Sequence, residues 1–136
     1  MIKIRNLAEM LCDAQTHMID KTVFVNPKKN EFVYFLDMYD DDSESNFKEE
    51  CYNSTEWVQV VVDCFSRDMY LEFIYLQEEH LHLELLNVFS GSGKYSRTKN
   101  HFAIKGLLEK FYKFELEYTS KLAIEWCKDH NLEFEE

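Results

Sequence analysis

The chain has 136 residues, 46% hydrophobic and 15% aromatic, with a formal charge of −11. That length is one domain's worth and buries about two thirds of its unfolded surface, so the fold needs no disulfide framework or structural metal. The composition excludes global disorder, no apolar run approaches the roughly 18 residues of a membrane span, and the charge disfavours nucleic-acid backbones and anionic membranes as partners.

In chain order, Asn6 is placed to cap a helix that aligns Leu7, Leu11, Ala14 and Met18 by threes and fours. T-V-F-V-N-P-K-K-N-E-F-V-Y-F-L-D follows, two β-branched and aromatic runs around N-P-K-K-N. Pro27 pre-sets a turn and Asn30 tolerates a left-handed backbone, which predicts a β-hairpin. Residues 37–54 are polar and acidic and read as a surface loop. E-W-V-Q-V-V-V-D then places Val58, Val60 and Val62 on one face of a third strand.

From Ser66, a candidate N-cap, the chain reads as helical. R-D-M-Y-L-E-F-I-Y-L is apolar around most of a helix, as a core helix would be. Residues 79–89 form a second helix with Leu81, Leu85 and Val88 aligned. Gly91-Ser92-Gly93 breaks the pattern, and a third helix starts near Lys94. A last helix over 107–130 puts Phe111, Phe114, Tyr118, Leu122 and Trp126 on one stripe. The expected fold is α+β in a single domain, 1–136: an N-terminal helix, a three-stranded antiparallel meander, and a helical C-terminal half with a long last helix.

Charge is segregated. Residues 31–90 hold 15 acidic against 2 basic residues, a net of −13, whereas 1–30 carry +2 and 91–136 net zero. Such a segment favours basic partners. The four cysteines, Cys12, Cys51, Cys64 and Cys127, form no C-x-x-C, and the opening M-I-K-I-R-N-L-A-E-M has no signal-peptide core. Reduced thiols and a cytoplasmic location are expected.

The second half carries G-S-G-K-Y-S-R-T-K, then a long helix ending A-I-E-W-C-K-D-H-N-L. This order resembles uncharacterised protein family 158, small bacterial proteins with G-x-G-[aromatic]-x-R-x-x-K and a later E-W motif. Gly91, Gly93, Lys94, Tyr95, Arg97 and Lys99 match in kind, as do Glu125, Trp126 and Asn131. F-V-Y-F-L-D and D-M-Y-L-E-F-I are similar to that family's Y-L-D strand and M-E-D-F-I helix. Thr98 stands where an aromatic is usual and Ser96 where arginine is frequent. The resemblance implies an α+β domain of bacterial cytoplasm and assigns no activity.

Two segments are candidate sites. Gly91, Ser92, Gly93, Lys94, Arg97 and Lys99 sit where a helix N-terminus and basic side chains can hold a phosphate, a nucleotide or RNA ends. The pattern is not a Walker loop, and its plainer reading is a helix junction in which Gly91 ends one helix and Ser92 caps the next. Asp37, Asp40, Asp41, Asp42 and Glu44 form an acidic docking candidate for a basic protein. They lack the alternating ligands and turn glycine of a calcium loop.

Cys127 and His130 share a helix face, but a thiolate pair needs further machinery that is not legible. His80 and His82 are two apart, which suits no shared metal on a helix. No catalytic residue, cofactor or metal is assigned, and a non-enzymatic role is expected. Any part of the aromatic stripe that the sheet leaves uncovered would serve a homodimer through the last helix.

Overall fold

The computed structural model describes residues 1–16, 21–36, 42–62 and 64–136, with the backbone alone for 13–16, 21, 36 and 42–45. Its elements are β1 (Ile2–Lys3), α1 (Ile4–Thr16), β2 (Lys21–Asn26), β3 (Glu31–Leu36), α2 (Asp42–Asn53) and β4 (Val58–Val60). α3 (Ser66–Leu76), α4 (Glu79–Val88), α5 (Lys94–Ile104), α6 (Leu108–Asp129) and β5 (Phe134–Glu135) complete it. The protein is α+β, as expected. The chain divides into two compact units, residues 1–63 with 119–136 and residues 64–118.

In the first unit the hairpin forms around Pro27–Asn30, with Thr22 opposite Phe35 and Phe24 opposite Val33. Asn26 is buried, and its Oδ1 accepts from the backbone N–H groups of Lys28 and Lys29 at 3.2 and 3.3 Å. Asn30 takes the left-handed conformation, φ 52°. The turn is thus held by side-chain bonds to its own backbone.

The three antiparallel strands run in the order β3-β2-β4, so the third strand joins β2 and the sheet is not a sequential meander. Burial explains the choice. Val23, Phe24 and Val25 are all buried, so β2 is apolar on both faces and suits the centre. β3 exposes Glu31 and Tyr34, and β4 exposes Gln59, which suits edges.

Residues 42–53, expected as loop, form helix α2. Phe47 and Cys51 lie four apart on it; Cys51 is buried with Phe24 and Phe35, beside Val33 and Trp57. Phe47 meets Phe35 at 5.8 Å and Trp57 at 5.9 Å between ring centroids. Two apolar residues among acids suffice because the sheet offers an aromatic face to receive them.

α1 begins at Ile4, so Asn6 lies inside it and not at its cap. Ile4, Leu7, Ala8 and Leu11 form its buried stripe. α6 ends in a Schellman arrangement: Asn131 has φ 55°, and the Leu132 N–H donates to the Cys127 carbonyl at 2.9 Å. The chain then lays β5 parallel to β1, pairing Ile2 with Phe134.

The second unit is helical, and its core is aromatic. Phe73, Phe102 and Phe111 lie 5.0–5.2 Å apart by ring centroid, and Tyr70 meets Phe111 at 4.8 Å. Burying each ring contributes about 1.5–3 kcal/mol. Of the stripe expected on the last helix, Phe111 is buried and Phe114 and Tyr118 half-buried in this unit, while in the first unit Trp126 is buried and Leu122 half-buried.

Candidate functional site

The glycine corner between α4 and α5 is built from the C-terminal end of one helix and the first turn of the next. A helix end leaves carbonyls without intrahelical partners. At α4 the side chain of Arg97 supplies them with donors. Its Nε donates to Val88 O at 3.1 Å, Nη1 to Ser92 O at 3.0 Å, and Nη2 to Ser90 O. The guanidinium fork thus binds three carbonyls of the same corner.

Gly91 and Gly93 both have positive φ, 77° and 72°. Gly93, not Ser92, occupies the cap position of α5, and no side chain caps that end. Gly91, Ser92 and Gly93 are exposed. Lys94 lays its ammonium 4.8 Å from the centroid of Phe89 and 5.4 Å from that of Tyr95. The Lys99 ammonium stands 5.6 Å from the Tyr112 centroid. The three cations of the candidate anion site therefore each have an internal partner, a set of carbonyls or an aromatic face.

Further along α5, Lys105 and His101 reach Glu84 on α4 at 3.0 and 3.4 Å. Hydrogen bonding to Lys105, ahead of the nearby positive charge, holds the Glu84 carboxyl below the usual range. Half-buried Glu115 moves the other way: desolvation lifts its carboxyl, and the Lys99 charge only partly opposes that.

Of the acidic docking candidate, Asp37, Asp40 and Asp41 lie outside the described residues. Asp42 and Glu44 fall on the backbone of α2, so that part of the segment is helical. Other carboxylates of residues 31–90 are exposed: Glu49, Glu50 and Glu56 in the first unit, and Asp68, Glu72, Glu78 and Glu79 in the second.

Cys127 is buried, and desolvation raises its thiol pKa. His130 stacks on Trp126 at 4.4 Å and donates from Nδ1 to the Trp126 carbonyl at 2.9 Å. The His130 ring and the Cys127 carbonyl, not its thiol, take part in ending α6. His80 lies 3.3 Å from Glu78, whereas His82 donates to the Gln77 carbonyl at 2.7 Å, so the two rings serve different contacts. Among the described residues no group of three potential ligands gathers for a metal, and no helix is long and apolar enough to cross a membrane.

Two features lie beyond what the sequence patterns show. In the first unit a groove of about 310 Å³ opens between Met1, Pro27, Val58 and Leu132, with Lys28 and Glu56 on its lining. In the second unit, Tyr75 and Leu76 of α3 are 57% and 65% exposed, and Leu83 of α4 is 72% exposed. For Tyr75 and Leu76 alone the apolar girdle of α3 is a signal, because a helix with one buried face has no internal use for the rest. Family models, curated proteins and solved structures give no match to this chain.

Proposed function

We propose that the protein is a non-enzymatic binding or regulatory protein whose acidic middle segment, residues 31–90, engages a basic protein partner. The observation that carries this reading is the segregation of charge: a net of −13 in that segment against +2 before it and zero after it. A field of one sign concentrates oppositely charged partners and speeds their encounter. Among the described residues its exposed carboxylates lie on helices α2 and α3, at the start of α4, on β3 at Glu31 and before β4 at Glu56. The glycine corner contributes architecture, since its cations are turned to carbonyls and rings of the same unit.

The test is retention of basic proteins by the immobilised chain at low ionic strength, beside a variant with Glu49, Glu50, Glu72 and Glu79 changed to Gln. The expected result is one or few basic proteins held by the native chain, released by salt, and not held by the variant. Equal retention by both chains, or none by either, ends the reading.

A further inference from the structure

We propose that the outward face of α3 and α4 is the contact surface for that partner, and that the segment docking there is a basic amphipathic helix. This rests on the acidic-segment reading above and adds the place and the partner's chemistry. α3 has a buried side, Met69, Tyr70, Phe73 and Ile74. Its opposite side carries Asp68, Glu72, Tyr75 and Leu76, a spacing of three, four and seven that forms one stripe.

On α4, Glu79 and Leu83 lie four apart and are both exposed. Tyr75, Leu76 and Leu83 are therefore large apolar side chains left exposed on two successive helices, with the Tyr75 ring against His82, the residue before Leu83. A patch of that kind on a soluble surface marks a contact site more often than lone exposed residues do.

The corner that presents these residues is fixed. The Gln77 side chain donates to the Phe73 carbonyl at 2.9 Å, and its own carbonyl accepts from His82 at 2.7 Å. The Tyr75 ring meets the edge of His82 at 5.5 Å. A preorganised apolar surface loses little freedom on binding.

Charge selects the occupant. Residues 66–88 contain five carboxylates, Asp68, Glu72, Glu78, Glu79 and Glu84, against Arg67 alone. Glu84 is taken by Lys105 and His101, and Glu78 lies 3.3 Å from His80, which leaves Asp68, Glu72 and Glu79 on the exposed faces of the two helices. A second copy of the chain would bring the same acids into contact, and an anionic membrane or RNA would be repelled. A helix with leucine-type residues on one side and lysines or arginines beside them satisfies both parts of the surface.

The test uses the whole chain, a synthetic amphipathic Leu/Lys helix and an oligolysine of equal charge, with affinities measured by titration at low and high salt. The Leu/Lys helix is expected to bind the native chain more tightly than oligolysine does. That advantage should fall about tenfold or more in Leu76→Ser/Leu83→Ser, because each covered leucine is worth about ten- to a hundredfold in affinity. Glu117→Gln/Glu125→Gln, exposed on α6 and outside residues 31–90, should leave it unchanged.

Peptide-induced amide protection confined to α3 and α4 gives the same answer independently of any variant. Equal binding of both peptides, undiminished in the leucine variant, overturns the docking face while leaving the acidic-segment reading standing. If neither peptide binds at low salt, both readings fall together.

Discussion

Tyr70 lies against Phe89 with 6° between the ring planes and 5.4 Å between centroids. The same tyrosine meets Tyr95, Phe102 and Phe111, so one side chain of α3 joins the end of α4, α5 and α6 within the second unit. Phe89 and Tyr95 in turn form the faces over which the Lys94 ammonium stands. The glycine corner is thus seated on the aromatic core, and its cations contribute by covering that core's rim.

Tyr70 and Glu115 give the unit a defined pH response. Burial, followed by the Glu115 charge, raises the Tyr70 hydroxyl; burial raises the Glu115 carboxyl. A raised folded-state value stabilises below the unfolded value and loses that contribution as pH rises through the folded one. Stability should therefore fall above about pH 10, where the unfolded phenol ionises. Glu115→Gln should stabilise at pH 7 and give little gain near pH 3, about a unit or more below the unfolded carboxyl, where the group is protonated in both states. Urea midpoints at the two pH values check this, and an equal effect at both would contradict it.

Arg97→Ala should destabilise the second unit by about 1–2 kcal/mol, since charge-assisted bonds to three carbonyls are lost at a solvated corner. Arg97→Lys should recover little, because an ammonium on a flexible stem does not reproduce the fork. Thermal unfolding would show a fall of a few degrees, about 2–8 °C, in both variants. An unchanged melting temperature in Arg97→Ala would mean that water serves those carbonyls equally well.

Helices α3 to α6 were legible in the sequence because Gly91, Gly93 and the threes-and-fours spacing of Leu81, Leu85, Phe111 and Trp126 are local signals. Asn30 was legible for the same reason, its left-handed turn being a property of the residue. α2 was not, because its helix depends on Phe47 and Cys51 meeting Phe24, Phe35 and Trp57, a contact that no local pattern announces. The strand order escaped similarly: nothing within β4 says that it pairs with β2 instead of β3. At the corner, the cluster of cations was visible, but the turning of Arg97 onto Val88, Ser90 and Ser92 is tertiary geometry.

Gly93→Ala should cost about 1–2 kcal/mol through backbone conformation alone. Its φ is 72°, and a Cβ there would meet nothing within 4 Å. With no steric term to add, Gly93→Asn should lose less, because asparagine visits the left-handed region more readily. Urea unfolding of the two variants separates these outcomes; equal losses would show that the cost lies elsewhere than in φ.

None of the four cysteines is in a disulfide, and their burial differs sharply: Cys64 is exposed, Cys12 intermediate, and Cys51 and Cys127 buried. Desolvation raises the thiols of both buried residues, with Glu50 adding to the effect at Cys51. Thiolate is the reacting form, so exposure and ionisation act in the same direction. A disulfide reagent should modify Cys64 first and Cys12 next, with Cys51 and Cys127 reacting only as the fold opens. Cys64→Ser should remove the first phase, and urea should release the last two thiols together with unfolding. A Cys127 that reacted in the first phase would require an ionised thiol beside His130, and would return that helix end to consideration as a nucleophilic pair.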